Sequence, residues 1–463
     1  MHSTRIRRTL QKSPLLELVC AIALLGQYVA YAQTGAELAA PVPLTLSQAI
    51  DLALKQNRSL QIAHLAVIDS EHKKEIARST YFPRIKNESS LLHVTELAGV
   101  EIPAGAFGVP AATGAIPGKS LFIGQGSDTA YTSGTGLEQP LTQMFKIHEL
   151  NRAASADANT AKIQLDQAET EVALKVRQLY YGLLVGELRL QAAKQEADAC
   201  QLRVQEALSA VAQGRALEVT ALETRAALLD ARQAALTQEL QLHDLTLDLD
   251  DLLGLPLGSR LRLDKDTAAT SIAVPTLEEY LRIAQEQSLA IRAARQAVIR
   301  ARAGLAAAKD AYIPDVTGLA RYSYQSGVPL LVHNFGTFGF TLSYDLFDGG
   351  RRNGEIKDSR TVLSEAELTL AKAEDELTVQ VETAYDKVEQ SQSMVDVVEA
   401  ALDVRAEAAR LADRQFEQDA ALASAREEAH AKEASAKAAL LEAALGLSLA
   451  QAELTRTIGQ IPR

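Results

Sequence analysis

Few of the side chains that could carry out chemistry are arranged in a pattern that supports a reaction. The chain contains neither a phosphate-binding P-loop nor a Gly-x-Ser-x-Gly nucleophile motif, and its histidines do not pair with carboxylates at the spacing of a metal site. His64 and His72 lie eight residues apart on one predicted helix, where a solvent-exposed face explains them better than a bound metal does. We therefore expect no enzymatic activity, no metal site and no cofactor.

The first 32 residues have the organisation of a secretory signal peptide. A basic start precedes an apolar stretch at 15–29, and 30–32 (Ala-Tyr-Ala) places small residues where a signal peptidase cleaves. We predict cleavage before Gln33, with a retained N-terminal membrane helix as the alternative. Val19 stands before Cys20 where lipidation requires a small residue, so we expect no lipid anchor.

The composition of the remaining chain narrows its possible locations. Removal of the signal peptide changes the formal net charge from −12 to about −15, which argues against binding to nucleic acid. Cys200 is then the only thiol, so an intrachain disulfide is impossible, and we interpret it as a small packed residue. No stretch reaches the roughly 18 apolar residues that a membrane helix requires. A secreted chain of this kind is either free outside the inner membrane or crosses the outer membrane in a closed β-barrel.

The chain contains an internal duplication. Residues 45–85 align without gaps with 276–316, an offset of 231, and eleven of the aligned positions are identical. Further on the offset becomes 205, and it then pairs Gly254 with Gly459. Chance does not preserve one register over such a distance. The chain is therefore predicted to contain two copies of one structural unit.

The change of offset locates an insertion in the first unit. The difference of 26 residues falls within a segment rich in Gly, Pro and Ala, at 98–127, which is typical of a long surface loop. We predict a first unit at 33–254, a linker at 255–275 and a second unit at 276–463.

Each unit is predicted to begin with one helix of about 36 residues that ends at a Tyr-x-Pro motif. Proline disfavours helical geometry in the residue before it, so the chain must leave the helix there. The candidate helix-to-strand junctions are Tyr81 and Pro83 in the first unit, and Tyr312 and Pro314 in the second.

Beyond each proline the period of the apolar residues changes from helical to two. In the second unit Phe338, Phe340 and Leu342 alternate with small or polar residues, which predicts one apolar face and one polar face. Such segments of about ten residues suit the strands of a membrane barrel, with an ordinary soluble hairpin as the alternative. The predicted strand pairs are about 83–97 with 128–142 and about 314–326 with 334–348.

Very long helices follow the strands. The stretch 143–213 contains no proline, and its apolar residues recur at helical spacing, which predicts a helix on the order of 100 Å long. Its counterpart in the second unit is about 350–417. A turn at Gly214 begins a return helix, and Gly254 and Gly459 are the expected C-terminal ends of the two return helices.

The number of strands predicts an assembly. One chain supplies four strands, which cannot close a barrel, and open strand edges are not tolerated in lipid. Two chains would give eight strands, whose side chains fill the interior, whereas three chains would give twelve and leave a water-filled lumen. We therefore predict a mainly α-helical fold built from a tandem-duplicated unit of helix, two strands, long helix and return helix. Its trimer is predicted to form a 12-stranded transmembrane β-barrel continuous with a long α-helical barrel.

The order of these motifs resembles the TolC-type outer-membrane efflux family over essentially all of the mature chain. The resemblance rests on the doubled Tyr-x-Pro helix ends, on the segment 342–351 that leads from strand to long helix, and on Gly214, which opens a return helix that ends in 252–256 (Leu-Leu-Gly-Leu-Pro). It implies a homotrimeric duct in the outer membrane of a Gram-negative bacterium, with the helices in the periplasm. It also implies passive export of drugs, metals or polypeptides in a tripartite efflux or type I secretion system, together with a periplasmic adaptor (membrane fusion) protein and an inner-membrane pump.

The resemblance also assigns roles to the turns between the long helices and the return helices. Acidic side chains just beyond the second turn narrow the periplasmic entrance in this family, and the matching candidates here are Asp419, Glu427 and Glu428. Ala425 occupies the other acidic position of the family, a departure from a full double ring. The carboxylates either form a gate or simply face water near a helix start. The candidates for adaptor contact, which could equally be plain turn residues, are Gly214, Arg215, Ala216, Leu217, Ala420, Ala421 and Leu422.

A periplasmic coiled-coil structural protein without a membrane role is the main rival interpretation. It explains the long helices, but it accounts neither for the doubled strand pairs nor for the aromatic alternation. We therefore favour the duct.

Overall fold

The computed structural model describes residues 42–95, 99–124, 129–259, 261–264, 275–327 and 332–461. The predicted signal peptide at 1–32 lies outside these residues, as do positions 260 and 265–274 of the predicted linker. Within the described part of the chain, no helix combines the length and the apolar character needed to cross a membrane.

Each half of the chain contains two short helices, a pair of long strands, a very long helix and a return helix. The first half consists of β1 (Val42–Leu44), α1 (Leu46–Gln56), α2 (Arg58–Ser79), β2 (Arg84–His93), β3 (Gly99–Ile102), β4 (Leu121–Gly124), β5 (Thr129–Pro140), α3 (Met144–Ala212) and α4 (Glu218–Leu253). The second half consists of β6 (Leu261–Leu263), α5 (Leu277–Gln287), α6 (Leu289–Asp310), β7 (Asp315–Ser326), β8 (Asn334–Ser343), α7 (Arg351–Glu417) and α8 (Ala423–Thr457).

The opening helix of each unit is broken, so the prediction of one helix of about 36 residues is wrong. Asn57, with a ψ of 124°, separates α1 from α2, and Ser288, with a ψ of 126°, separates α5 from α6. The side chain of Asn57 stabilises the first break, because its Oδ1 accepts a hydrogen bond from the N–H of Leu60 at 3.2 Å. Its Nδ2 donates to the carbonyl oxygen of Leu252 at 3.0 Å, which attaches the break to the end of α4.

The two return helices end against these breaks in the same way. Gly254 caps α4 with a φ of 70°, and Gly459 follows α8 with a φ of 87°. A Cβ atom at Gly254 would lie 3.1 Å from the carbonyl oxygen of Gln56, and one at Gly459 would overlap the carbonyl oxygen of Gln287. Glycine is required at both positions, because only glycine combines the left-handed backbone with this close approach.

Four long strands form one antiparallel sheet in the order β2-β5-β7-β8. Leu137 stands opposite Ala320, and Ala320 stands opposite Phe338, so these residues share one side of the sheet. We call this side the apolar face, and it carries Ile85, Leu91, Tyr131, Leu137, Tyr322, Tyr324, Phe338, Phe340 and Leu342. Phe338 and Phe340 are 91% and 78% exposed, so one chain leaves this face uncovered. The opposite side is the polar face.

Two details of the strands differ from the sequence prediction. The last strand was predicted to reach 348, but β8 ends at Ser343, because the chain then turns into α7 through two glycines in left-handed geometry, Gly349 and Gly350. The insertion at 98–127 was predicted as a loop, but it contains a hairpin in which β3 pairs with β4. Apolar residues at Val100, Ile102, Leu121 and Ile123 favour this pairing.

The long helix α3 is the centre of the helical part. It packs against α4 and α8 and, toward the sheet, against α2 and α6. One apolar core joins α1, α3, α4 and α8 around Val176, Tyr180 and Leu249, and a second joins α5, α6, α7 and α8 around Ile291 and Val381. The second unit therefore repeats the packing of the first.

Candidate functional site at the helix turns and the strand-to-helix junctions

The two turns that connect long and return helices have one geometry. Gly214 has a φ of 68°, and Asp419 has a φ of 54°, a left-handed conformation that aspartate tolerates. In the first turn the N–H of Arg215 donates to the carbonyl oxygen of Ala210 at 2.8 Å, and in the second the N–H of Ala420 donates to that of Gln415 at 2.8 Å. These bonds satisfy helix-terminal carbonyl groups, so both turns are well-formed helix caps.

The predicted tip residues lie in these turns and expose two leucines. Leu217 is 73% exposed and Leu422 is 62% exposed, and each stands directly before a return helix as its N-cap residue. Arg215, Ala216, Ala420 and Ala421 complete the turns. The exposed leucines give this end of the molecule two small apolar contact points.

Of the three predicted gate residues, the structure places Glu428 in a contact between helices. Its carboxylate pairs with Arg203 of α3 and lies 2.5 Å from Nζ of Lys432 on its own helix, α8. Lys432 first, and then the charge of Arg203, lower the pKa of Glu428 below its usual range. Glu427 lies 3.8 Å from Arg426, and Asp419 lies in the turn itself. The three carboxylates therefore do not form one cluster within a chain.

A second group of polar side chains attaches the start of α8 to α7. Asp413 of α7 accepts a hydrogen bond from Nε of Arg426 at 2.8 Å, and Nε2 of His430 lies 2.9 Å from the same oxygen. The guanidinium of Arg426 also lies over the ring of Phe416, 5.3 Å from its centre. The hydrogen bond from Arg426, followed by that from His430, lowers the pKa of the Asp413 carboxyl.

Glu206 attaches the start of α8 to α3, as Asp413 attaches it to α7. Its Oε1 accepts a hydrogen bond from the backbone N–H of Ser424 at 3.0 Å, and its other oxygen contacts the Ser424 hydroxyl. Two helices, α3 and α7, therefore bind the first turns of α8 through charged groups.

Sequence reasoning missed the partners in these contacts. Arg203, Glu206 and Asp413 lie on long helices whose exposed faces carry many charges, and nothing in the local sequence distinguishes them. His430 is one of several histidines that share no common spacing in the sequence. The alignment of α8 with α4 by the offset of 205 was the one signal that placed these residues near a turn.

The predicted helix-to-strand junctions lie where the helical part meets the sheet. Pro83 immediately precedes β2, and Pro314 immediately precedes β7. The hydroxyl of Tyr81 lies 3.4 Å from Nδ1 of His148, a weak contact. The carbonyl oxygen of Pro314 accepts a 2.6 Å hydrogen bond from the Thr142 hydroxyl, which joins the two units.

At the second junction, Tyr312 contacts a buried charge that sequence reasoning also missed. The guanidinium of Arg352 lies 5.2 Å from the ring centre of Tyr312 and 4.7 Å from that of Tyr344. Its Nε donates to Asp348 at 2.6 Å, and its side chain is 9% exposed. Asp348 also accepts from the N–H groups of Gly350 and Arg352. The Arg352 side chain and these backbone groups lower the pKa of Asp348 from 3.8 to about 2.

The fold defines a class of protein. The structure resembles the CmeC outer membrane channel of Campylobacter jejuni with a TM-score of 0.73 at 14% identity, covering 89% of this chain and 85% of that chain. It resembles the open state of the MtrE outer membrane channel of Neisseria gonorrhoeae with a TM-score of 0.70 at 18% identity, covering 90% and 89%. It resembles the outer membrane protein VceC of Vibrio cholerae with a TM-score of 0.68 at 16% identity, covering 90% and 97%. The fold is thus that of solved outer-membrane channels.

The sequence itself matches the same class. A sequence model of the outer membrane efflux protein family matches residues 49–255 and 280–460, and the chain belongs to this family. The prediction of a TolC-type outer-membrane efflux protein is confirmed. A comparison with curated protein sequences gave no match. Membership of this family supports an efflux duct and does not support the rival interpretation as a coiled-coil protein without a membrane role.

Proposed function

We propose that three copies of this chain close into one gated duct that carries solutes passively from the periplasm across the outer membrane. The observation that carries the proposal is that the β-sheet of one chain, as far as it is described, is open at both edges. In the described sheet, β2 and β8 are the edge strands, and each pairs with one neighbour. Four strands with two free edges and an exposed aromatic face require partner strands before they can enter lipid.

The helices support the same assembly through the duplication. Within one chain α8 packs on both α3 and α7, whereas α4, the counterpart of α8, packs on α3 and α1. The duplication therefore predicts that α4 packs on α7 of a neighbouring copy, as α8 packs on α3. Repeated between all copies, this contact would arrange the long and return helices in a closed ring around the axis of the assembly.

The two helix faces that would meet are apolar and have matching periods. Exposed leucines of α4 recur every seven residues at Leu222, Leu229 and Leu236, and exposed residues of α7 recur every seven residues at Val397, Val404 and Leu411. A repeat of seven is the spacing at which packed helices interdigitate. Unpartnered apolar stripes of this kind mark surfaces that another chain covers.

The duplication also predicts which side chains meet. Ser424 and Glu206, which bond between α8 and α3, correspond by the offset of 205 to Val219 of α4 and Leu411 of α7. Val219 is 52% exposed and Leu411 is 44% exposed in one chain. We expect Val219 of one copy to contact Leu411 of the next.

Disulfide trapping tests this contact. Val219→Cys and Leu411→Cys, introduced together, are expected to yield a covalent species of three chains as the largest product in isolated outer membranes. Val219→Cys with Leu368→Cys is the matched control, because Leu368 is equally apolar and 71% exposed on the same helix but far from the turn. The native Cys200 is buried and does not interfere. Absence of intermolecular cross-links, or a ladder that continues beyond three chains, contradicts the trimer.

The turns are the proposed docking points for a periplasmic adaptor, which would connect the duct to an inner-membrane pump. The exposure of Leu217 and Leu422 supports this role. A photo-reactive residue at either position is expected to cross-link to an adaptor co-expressed in cells. The matched control is the same probe at Leu240, which is also exposed but lies near the middle of α4. Equal cross-linking at Leu240 would show that the two turns have no specific role in adaptor binding.

We also propose that the contacts of α8 with α3 and α7 keep the periplasmic entrance narrow, with Asp419, Glu427 and Glu428 as its acidic residues. Glu428 supports this role, because its pairing with Arg203 joins two helices that would have to separate during opening. Replacing Glu427 and Glu428 by Ala is expected to raise the single-channel conductance in planar bilayers. Unchanged conductance and an unchanged ratio of cation to anion permeability would remove both from the gate.

A further inference from the structure

The polar face of the sheet carries an uneven distribution of charge. Lys86, Gly136, Arg321 and Thr337 stand opposite one another across β2, β5, β7 and β8, so one row of the sheet contains two cations and no anion. The next row contains Glu88 opposite Gly134. We call Lys86, Glu88 and Arg321 the charged band.

The three charged groups are connected across three strands. Nζ of Lys86 lies 2.5 Å from Oε1 of Glu88, and Nη1 of Arg321 lies 4.0 Å from Oε2 of the same carboxylate. Glu88 therefore lies between the two cations and neutralises one of them. The band has a net charge of one positive unit per chain.

Gly134 of β5 provides the space that Arg321 uses to reach Glu88. A Cβ atom at Gly134 would lie 2.5 Å from Nε and 2.7 Å from Nη2 of Arg321. The guanidinium therefore lies flat over a position without a side chain. Any larger residue there would displace the flexible end of Arg321 away from the sheet.

Within the described strands, the positive charge of the band is balanced only three rows away, by Asp315 at the start of β7. At the end of the sheet nearest the helices, Arg84 stands opposite Glu138, a balanced pair. The polar-face residues of β8 are uncharged: Phe335, Thr337, Gly339, Thr341 and Ser343. The positive net charge of the charged band also contrasts with the formal net charge of the whole chain, which is −12.

We propose that the charged band lines the lumen of the closed barrel and selects for anionic solutes, namely those that carry carboxylate, sulfate or phosphate groups. This inference rests on the proposed trimeric duct, in which the apolar face contacts lipid and the polar face lines water. Three copies place six cations at one level of the lumen and three carboxylates beside them. A narrow aqueous path between low-dielectric walls focuses such a field on passing ions.

The reversal potential of the full-length trimer in a planar bilayer under a KCl gradient tests the proposal. The wild-type barrel is expected to favour chloride more than its Arg321→Gln variant does, with the ratio of chloride to potassium permeability falling by about twofold or more in the variant. Glu88→Gln is expected to shift the ratio in the opposite direction, because it releases a second cation. Lys73→Gln on α2, which removes an exposed cation outside the strands, is the matched control and leaves the ratio unchanged.

Gly134→Ala is expected to move the guanidinium of Arg321 without removing its charge, so it tests position and charge separately. The variant is expected to keep its preference for anions but to conduct less, because Arg321 then projects into the lumen. A permeability ratio that is the same in wild type, Arg321→Gln and Glu88→Gln would overturn the proposed selectivity of the charged band. The proposed duct would not be affected by that result. Failure of the wild-type protein to form channels at all would instead overturn the proposed function.

Discussion

The two strand-to-helix junctions, where β5 leads into α3 and β8 leads into α7, occupy equivalent places in the duplicated unit, but their side chains use different chemistry. The offset of 205 places Gln143 and Ile147 of the first junction where the second has Asp348 and Arg352. Counted over the whole residue, Ile147 is 8% exposed and Arg352 is 7% exposed, so an isoleucine and an arginine are buried at the same point of the fold. The duplication has therefore preserved the path of the backbone and not the interaction that stabilises it.

The first junction is stabilised by neutral hydrogen bonds. The Thr142 hydroxyl donates to Pro314 and accepts from the N–H of Val316 at 2.8 Å, and Nε2 of Gln139 donates to the carbonyl oxygen of Tyr81 at 3.1 Å. The second junction instead surrounds one guanidinium with a carboxylate and two aromatic rings. The strength of neutral hydrogen bonds does not depend on pH, whereas the strength of the ion pair does. The two junctions are therefore expected to lose stability under different conditions.

The largest effect is expected from Arg352→Ile, which copies the residue of the first junction into the second. It leaves Asp348 partly buried without its cation, and the loss of one partner of such a pair is strongly destabilising. The thermal unfolding midpoint of the assembly is expected to fall by several degrees. Arg351→Ile is the matched control, since Arg351 is 59% exposed and its removal is expected to change the midpoint little.

Adding Asp348→Gln to Arg352→Ile sharpens the comparison. The double variant reproduces the pair found in the first junction, Gln143 and Ile147. It is expected to recover most of the lost stability, because replacing both members of a buried ion pair costs far less than replacing one. A double variant as unstable as the single one would mean that the two junctions are not interchangeable.

Acid is expected to weaken the second junction selectively. The pKa of Asp348 is lowered from its ordinary value of 3.8 to about 2, so the folded state favours the carboxylate. The stability that this group contributes is complete above about pH 4 and is lost as the pH falls from about 4 to about 2. The difference in unfolding midpoint between wild type and the double variant is expected to shrink over this range. A constant difference would contradict the assignment.

Thr142→Val is expected to have a moderate effect at the first junction. It leaves the N–H of Val316 without its acceptor in a partly buried site, which costs about 1–2 kcal/mol in the free energy of unfolding. Thr361→Val is the matched control, because the hydroxyl of Thr361 is exposed on α7 and bonds only within its own helix. The loss at Thr142 is expected to be the same at pH 3 and pH 7.

Tyr81→Phe is expected to have the smallest effect. The hydroxyl of Tyr81 contacts His148 at 3.4 Å near the surface, so its removal is expected to change the free energy of unfolding by less than about 0.5 kcal/mol. A larger loss in chemical denaturation would show that this hydroxyl supports the first junction more than its geometry indicates.

The sequence predicted the mainly helical fold because its strongest signals are long-range repeats and long stretches without proline. It did not predict the breaks at Asn57 and Ser288, because both residues interrupt an otherwise helical pattern. The break at Asn57 depends on Leu252, 195 residues away. The hairpin in the insertion was obscured by the glycines and prolines around its short strands.

The candidate site was predictable in position but not in partners. Gly214 and the offset of 205 located both turns. The pairing of Glu428 with Arg203 arises only when α8 packs on α3, and the burial of Arg352 arises only when α7 meets the sheet. Contacts between distant elements leave no periodic signal in a single sequence.

The mass of the particle extracted from outer membranes in mild detergent tests the central claim most directly. Native mass spectrometry is expected to show a particle of three chains, because four strands and two unfinished helical edges per chain close only when other copies complete them. A stable particle of a single chain, soluble without detergent, would contradict the account.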